Sequence, residues 1–104
     1  MENTGKGRQY HRPLAFPGRR DLHLADRQKR ALLASLALTP PASIGTSKVL
    51  SVQCTDGCKL ELESGWLIFR ASGTEPIIRI YAELSTNTEL ESVLAGAIEF
   101  AQSM

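Results

Sequence analysis

Between Arg70 and Arg79 the chain reads Arg-Ala-Ser-Gly-Thr-Glu-Pro-Ile-Ile-Arg. Ser72 and Thr74 offer hydroxyl donors. Gly73, between them, lets a backbone come close to a ligand and can aim amide N–H groups at it. Arg70 and Arg79 bring fixed positive charge to the two ends of the segment. A phosphate dianion wants charge-assisted donors of these kinds converging from several sides. Pro76 donates no N–H and stiffens the exit. Glu75 would repel a phosphate if it pointed inward, so it is expected to point away, pair with an arginine and hold that guanidinium in place. An ordinary hairpin turn needs only residues such as Asn-Gly or Asp-Gly, so the surplus of donors is the chemical signal. The opposing reading is a surface loop with an incidental salt bridge, and short motifs of this size have many chance matches.

The elements around the turn must position these groups. "WLIFRA" before it is nearly all apolar. "IIRIYAEL" after it places Ile78, Ile80, Ala82 and Leu84 on one face and Arg79, Tyr81 and Glu83 on the other, as a strand with one buried side does. Upstream, "KVLSVQC" places Leu50, Val52 and Cys54 on one face, and "CKLEL" places Cys58, Leu60 and Leu62 on one face. A three-residue loop of Thr55, Asp56 and Gly57 gives these two strands a common apolar face. It puts Gly57 where a left-handed conformation is wanted and Cys54 opposite Cys58 on the core side. "RRDLHL" alternates, with Leu22 and Leu24 on one face, and predicts a short first strand. A helix follows from about Asp26 to Leu38, with Leu32, Leu33 and Leu36 as its apolar stripe, Gln28 facing the same way, and Arg27, Lys29 and Arg30 on the wet side. Pro40 and Pro41 end it. Leu90, Val93, Leu94, Ala97, Ile98 and Ala101 recur at helical spacing near the C-terminus. Thr86 with Glu89, or Thr88 with Glu91, opens that helix with a capping box. Strand, helix, four strands, helix, with short links between the last four strands, predicts an antiparallel sheet with both helices on one face: an α+β two-layer sandwich.

At 104 residues the chain is one domain at most, with an apolar fraction of 42%, enough for one modest core. Its formal net charge is +1 and its pI about 7.8, which gives no global basic field of the nucleic-acid-binding kind. No apolar run approaches the ~20 residues that span a bilayer, and the N-terminus has no secretory h-region, so the expected compartment is the cytoplasm. Residues 1–17 read as a flexible tail or linker remnant, and residues 18–104 as the folded domain. The basic residues Lys6, Arg8, Arg12, Arg19 and Arg20 suit either a solvated tail or a nucleic-acid arm; interleaved Glu2 and Asp21 favour the former. Two cysteines make neither a disulfide framework nor a metal set. They are read as two small buried hydrophobes, a disulfide being possible but not expected in a reducing compartment.

The string "WLIFRASGTEPIIRIYAE" resembles the C-terminal signature of the α-D-phosphohexomutases, the phosphoglucomutase and phosphomannomutase family. Its usual form there is Arg-Pro-Ser-Gly-Thr-Glu-Pro followed by an Arg-x-Tyr-x-Glu strand. Ala71 stands where proline is commonest. "RRDLHL" with the first helix, the Asp-Gly hairpin and the last helix extend the resemblance to residues 18–102, which then look like that family's fourth domain. The resemblance implies a TBP-like sheet of four or five antiparallel strands with two helices. It implies that Arg70, Ser72, Gly73 and Thr74 grip the phosphate of the sugar that is not reacting, with Arg79 and Glu75 in support. It also implies hexose phosphates or phosphate as ligands, and upstream mutase domains as partners. Neither nucleic acid nor a membrane is implied. A phosphohexomutase moves phosphate between an active-site phosphoserine and its substrate with Mg²⁺, but this sequence has no serine-histidine nucleophile loop and no Asp-x-Asp-x-Asp cluster. The expectation is a domain with no catalytic residue and no metal or cofactor of its own, inactive alone, that is a fragment, a split subunit or a stand-alone descendant. Tyr81 leans the resemblance toward the phosphogluco/phosphomanno branch. The competing function is a non-catalytic protein-interaction module derived from the same domain.

Overall fold

A computed structural model describes residues 16–104. The expected tail falls outside the described residues as far as Ala15, and its last two residues already belong to the first strand. In chain order the elements are β1 (Phe16–His23), α1 (Asp26–Leu38), β2 (Ser43–Ile44), β3 (Ser47–Gln53), β4 (Cys58–Leu62), β5 (Gly65–Ala71), β6 (Ile77–Leu84) and α2 (Asn87–Gln102). They form one six-stranded antiparallel sheet in the order β1-β6-β5-β4-β3-β2. The architecture is the expected α+β two-layer sandwich. The sheet has one strand more than the four or five anticipated, because the two residues of β2 pair back onto β3 at the far edge. Pro17 is tolerated because β1 is the opposite edge and one side of it has no partner strand.

Both helices cover the same face. α1 packs on β3 and β4, and α2 on β6, β1 and β2. The alternation read in the sequence is what builds this core: Leu60 and Leu62 of β4, Leu67 and Phe69 of β5, and Ile78 and Ile80 of β6 are all buried against Leu32 and Leu36 of α1 or Val93 and Leu94 of α2. Each such side chain contributes roughly 1.5–3 kcal/mol relative to exposure. On the other face Trp66, Ile68 and Tyr81 are half-buried. Lys59 Nζ lies 5.7 Å from the Trp66 ring centroid, and the Arg19 guanidinium 5.7 Å from that of Tyr81. Long cationic side chains thus cover aromatic surface on a face that no helix among the described residues covers.

Two readings are corrected here. Leu50 does not join Val52 on the core side; it is 60% exposed. The pairing steps from Val49↔Leu62 to Ser51↔Glu61, so one residue is extra on β3. This bulge lets Val49 and Val52 both face inward and turns Leu50 out. The three-residue loop at Thr55-Asp56-Gly57 is as read, with Val52 opposite Leu60 and Gly57 at φ 84. Its cysteines, however, are joined as a disulfide, with Cα atoms 4.1 Å apart, instead of packing as two small hydrophobes. Closing so short a loop brings the sulfurs face to face at its mouth. Cys58 is buried and Cys54 is exposed.

The start of α2 is fixed by Thr86, not Thr88. Thr86 Oγ1 accepts the Glu89 N–H at 3.1 Å, and the Glu89 carboxylate receives hydroxyls from Ser64 at 2.7 Å and from Ser85 and Thr86 at 3.1 Å. One side chain therefore ties the β4–β5 turn to the β6–α2 link. These hydrogen bonds, Ser64's first, hold the Glu89 carboxyl below its ordinary range although burial works against them. A depressed folded-state pKa stabilises the fold above the unfolded carboxyl value, about 4.3, and the gain is lost as pH falls through the lower folded value. Glu89→Gln is expected to cost about 1–2 kcal/mol in urea unfolding near neutral pH. The difference from the parent should shrink at acid pH; an equal difference near pH 7 and near pH 3 would refute the role given to the ionised carboxylate.

Candidate functional site

β5 and β6 stay in register up to Ala71↔Ile78, so residues 72–77 must turn the chain. The Ser72 N–H donates to Ile77 O at 3.1 Å, and the Ile77 N–H to Glu75 O at 2.8 Å. Ser72 Oγ accepts the N–H groups of Thr74 at 3.3 Å and Glu75 at 3.1 Å. This is the local side-chain-to-backbone bonding by which serine organises turns. It alters the expected chemistry. The two amides turn inward to the serine oxygen instead of outward as a nest. The hydroxyl, with both acceptor positions taken, is left as a donor.

The loop is tied to the helix layer by Lys29, which the sequence reading placed on the wet side of α1. Its side chain is 9% exposed. Nζ donates to Ser72 O at 3.1 Å and Glu75 O at 2.9 Å, and stands 3.3 Å from Asp26 Oδ1. Two of the ammonium's three donors are thus met by loop carbonyls, and the Asp26 carboxylate stands at ion-pair distance. The signal was available: Lys29 precedes Leu32 by three residues and Leu36 by seven, which is the stripe itself. Gln28 is turned back, its Oε1 accepting the Ala25 N–H at 3.3 Å. A second tie runs from the Leu24 N–H to Pro76 O at 2.8 Å.

Arg70 and Arg79 are directly opposite each other across β5 and β6, on the face without helices. Like charges so placed destabilise a sheet pair. Each is offset by a carboxylate at ion-pair distance, too long for a hydrogen bond: Asp56 lies 3.6 Å from Arg70, and Glu75 3.6 Å from Arg79. Glu75 thus pairs with an arginine, as expected. Asp21, opposite Arg79 on β1, is a further carboxylate of the group. Hydrogen bonds from Arg19, at 3.0 and 3.1 Å, lower its carboxyl pKa most, and the charge of Arg79 lowers it further.

The predicted residues do not all converge. Ser72, Gly73, Thr74 and Glu75 line one concavity of about 340 Å³ with Asp26, Lys29 and Pro76, on the α1 side of the loop. Arg70 and Arg79 stand outside it, on the other face. Gly73 is not in the left-handed region, and a Cβ built on it would meet nothing within 4 Å among the described residues. Neither backbone strain nor packing requires glycine there. Among the described residues no group of three or more His, Cys, Asp or Glu side chains could hold a metal ion, and no helix is long and apolar enough to cross a membrane.

An antiparallel sheet with both helices on one face, ending in a turn framed by serine and arginine residues, defines a small α+β domain. The sequence profile of the phosphoglucomutase/phosphomannomutase C-terminal domain matches residues 22–99. The chain belongs to that family. It is 32% identical over 74 residues to a phosphoglucomutase/phosphomannomutase of Thermococcus kodakarensis, covering 71% of this chain and 15% of that protein. It is 27% identical over 86 residues to a probable phosphoglucosamine mutase of Pyrococcus horikoshii, covering 83% and 18%. It is 36% identical over 50 residues to a phosphoglucosamine mutase of Methanocaldococcus jannaschii, covering 48% and 11%. The chain therefore spans less than a fifth of the length of these relatives, whose names divide between the two branches.

Lys29→Met keeps the length of the side chain and removes its donors, leaving two loop carbonyls unpartnered. The variant is expected to lose roughly 1.5–3 kcal/mol of stability. Its Ser72 and Ile77 amides should exchange with solvent faster relative to those of β4. A variant with unchanged stability and unchanged exchange would show that Lys29 does not hold the loop.

Proposed function

We propose that this chain serves as the phosphate-gripping C-terminal domain of a phosphohexomutase. It holds the non-reacting phosphate of a hexose phosphate while other mutase domains carry out transfer between their phosphoserine and the sugar. The observation that carries this reading is the pair of guanidiniums set directly opposite each other beside the Ser72–Pro76 turn. Their mutual repulsion is offset by carboxylates that are 89% and 59% exposed, so a phosphate dianion can replace them at little cost. In this reading the phosphate sits over the tip of the turn. Arg70 reaches it round the turn from the open sheet face, and the Ser72 and Thr74 hydroxyls donate from the α1 side. Gly73 leaves the space in which the anion sits. Arg79 supports the site electrostatically, with Glu75 setting its position. The donors read a tetrahedral dianion and not a ring, so either end of a sugar bisphosphate can be held, as a mutase cycle requires. Mg²⁺ and the nucleophile belong to the upstream domains that are its proposed partners, and the proposed compartment is the cytoplasm.

The domain alone is expected to bind inorganic phosphate, glucose 1-phosphate and glucose 6-phosphate about equally, with a Kd of ~1 mM, or ~4 kcal/mol. The low affinity follows from solvent exposure, since open ion pairs contribute only about 0–1 kcal/mol each. In an NMR titration the shifts should fall on residues 70–75 and on Arg79, and Arg70→Ala should weaken binding. Gly73→Ala is the sharper variant. It should fold with unchanged or slightly raised stability, because among the described residues nothing contacts the added methyl, yet bind phosphate more weakly. The reading fails if tens of millimolar phosphate move no loop resonance, or if Gly73→Ala binds as well as the parent. With glucose 1-phosphate, Mg²⁺ and a bisphosphate activator the chain alone should show no turnover. Turnover abolished by Arg70→Ala would overturn the division of labour proposed here.

A further inference from the structure

The β3–β4 hairpin meets the proposed phosphate site through one side chain, carried on a loop that a disulfide closes. Cys54 and Cys58 close the loop that carries Asp56. Gly57 sits so near β5 that a Cβ there would lie 2.5 Å from Phe69 O and 3.3 Å from Arg70 Cα. The loop therefore rests on the backbone of Arg70 while its Asp56 carboxylate stands 3.6 Å from the Arg70 guanidinium. Asp56 is 89% exposed and Arg70 52%. An exposed pair of this kind returns little more than the entropy of ordering its two side chains. Covalent closure of the loop removes part of that ordering cost, since the backbone under Asp56 is already held.

We propose that the Cys54–Cys58 pair is a redox control on anion binding at Arg70, a proposal that rests on the phosphate reading of the loop. In the disulfide form Asp56 is held as an internal competitor for the guanidinium. In the dithiol form the loop relaxes, Asp56 leaves, and Arg70 is free for a phosphate oxygen. The exposed Cys54 is the point of entry. A cellular dithiol attacks Cys54 Sγ, and Cys58 departs as a thiolate and takes up a proton. The second thiol of the reductant then resolves the mixed disulfide, so that Cys54 also ends as a thiol. Two electrons and two protons pass to the protein, and the dithiol becomes its own disulfide. Reoxidation by a disulfide of the same class runs the steps in reverse.

The test compares the oxidised and dithiothreitol-reduced protein, with inorganic phosphate as the probe, in the parent and in Asp56→Asn. Reduction of the parent should raise phosphate affinity about two- to fivefold, the range an exposed ion pair supports. Asp56→Asn should bind equally in both redox states, near the affinity of the reduced parent. Equal affinity of the two parent states overturns the proposal, as does a redox effect that persists in Asp56→Asn. The Arg70 Nε–H resonance of the phosphate-free protein separates this failure from failure of the phosphate reading. If phosphate binds neither form, the phosphate reading is what falls. The control of Arg70 by the hairpin then stands only if reduction moves that resonance toward its position in Asp56→Asn, and falls if it stays still.

Discussion

One ammonium group sets the geometry on which the rest of the loop depends. Lys29 Nζ draws the carbonyls of Ser72 and Glu75 toward the helix layer. Once those oxygens face inward, the intervening residues have little choice. Ser72 Oγ gathers the amides behind it, and Gly73 is left bordering open space. A charge this buried is tolerable only when it is paired and hydrogen-bonded, so the loop cannot rearrange without exposing the lysine or stranding it. The loop is thus made rigid from below by a residue that need not touch a ligand.

The two arginines are handled in the opposite way. They sit on strands whose positions are fixed by a full cross-strand register, but their charged ends are balanced by exposed carboxylates at ion-pair distance. The backbone of the site is firm and its charge is loosely assigned. That division suits a site whose ligand must arrive and leave, because the exchange of one anion for another needs no backbone movement. It also makes the surroundings decisive: the same guanidiniums attract an anion far more strongly where water is excluded than on an open sheet face.

Most of the fold was legible because its periods are unmixed. β4, β6 and α2 alternate or repeat cleanly, and each lies where the pattern places it. The misses have separate physical causes. Leu50 was misplaced because a bulge, which leaves no mark in composition, adds a residue and inverts the alternation. β2 is too short for any period to register. Lys29 was read as wet because its charge outweighed its position on the apolar stripe, although the loop carbonyls that satisfy it lie far along the chain. The disulfide depends on two Cα atoms meeting across a loop whose register was read as it is, but whose chemistry was judged by the expected compartment. Within the site, the residue types do not show that the arginines and the loop lining stand on opposite faces.

The topology also carries a consequence for the order of assembly. The strands β2 to β6 form a meander in which each neighbour follows the last, so that part of the sheet can assemble from local contacts as the chain emerges. β1 cannot. Its partner is β6, Arg20 lying opposite Ile80, and β6 is the last strand of the sheet in chain order. The first strand must wait until the last strand of the sheet exists. Both tethers of the loop, from Leu24 and from Lys29, come from that waiting N-terminal portion. The loop is therefore locked by the closing step, when the first strand of the sheet in chain order meets the last.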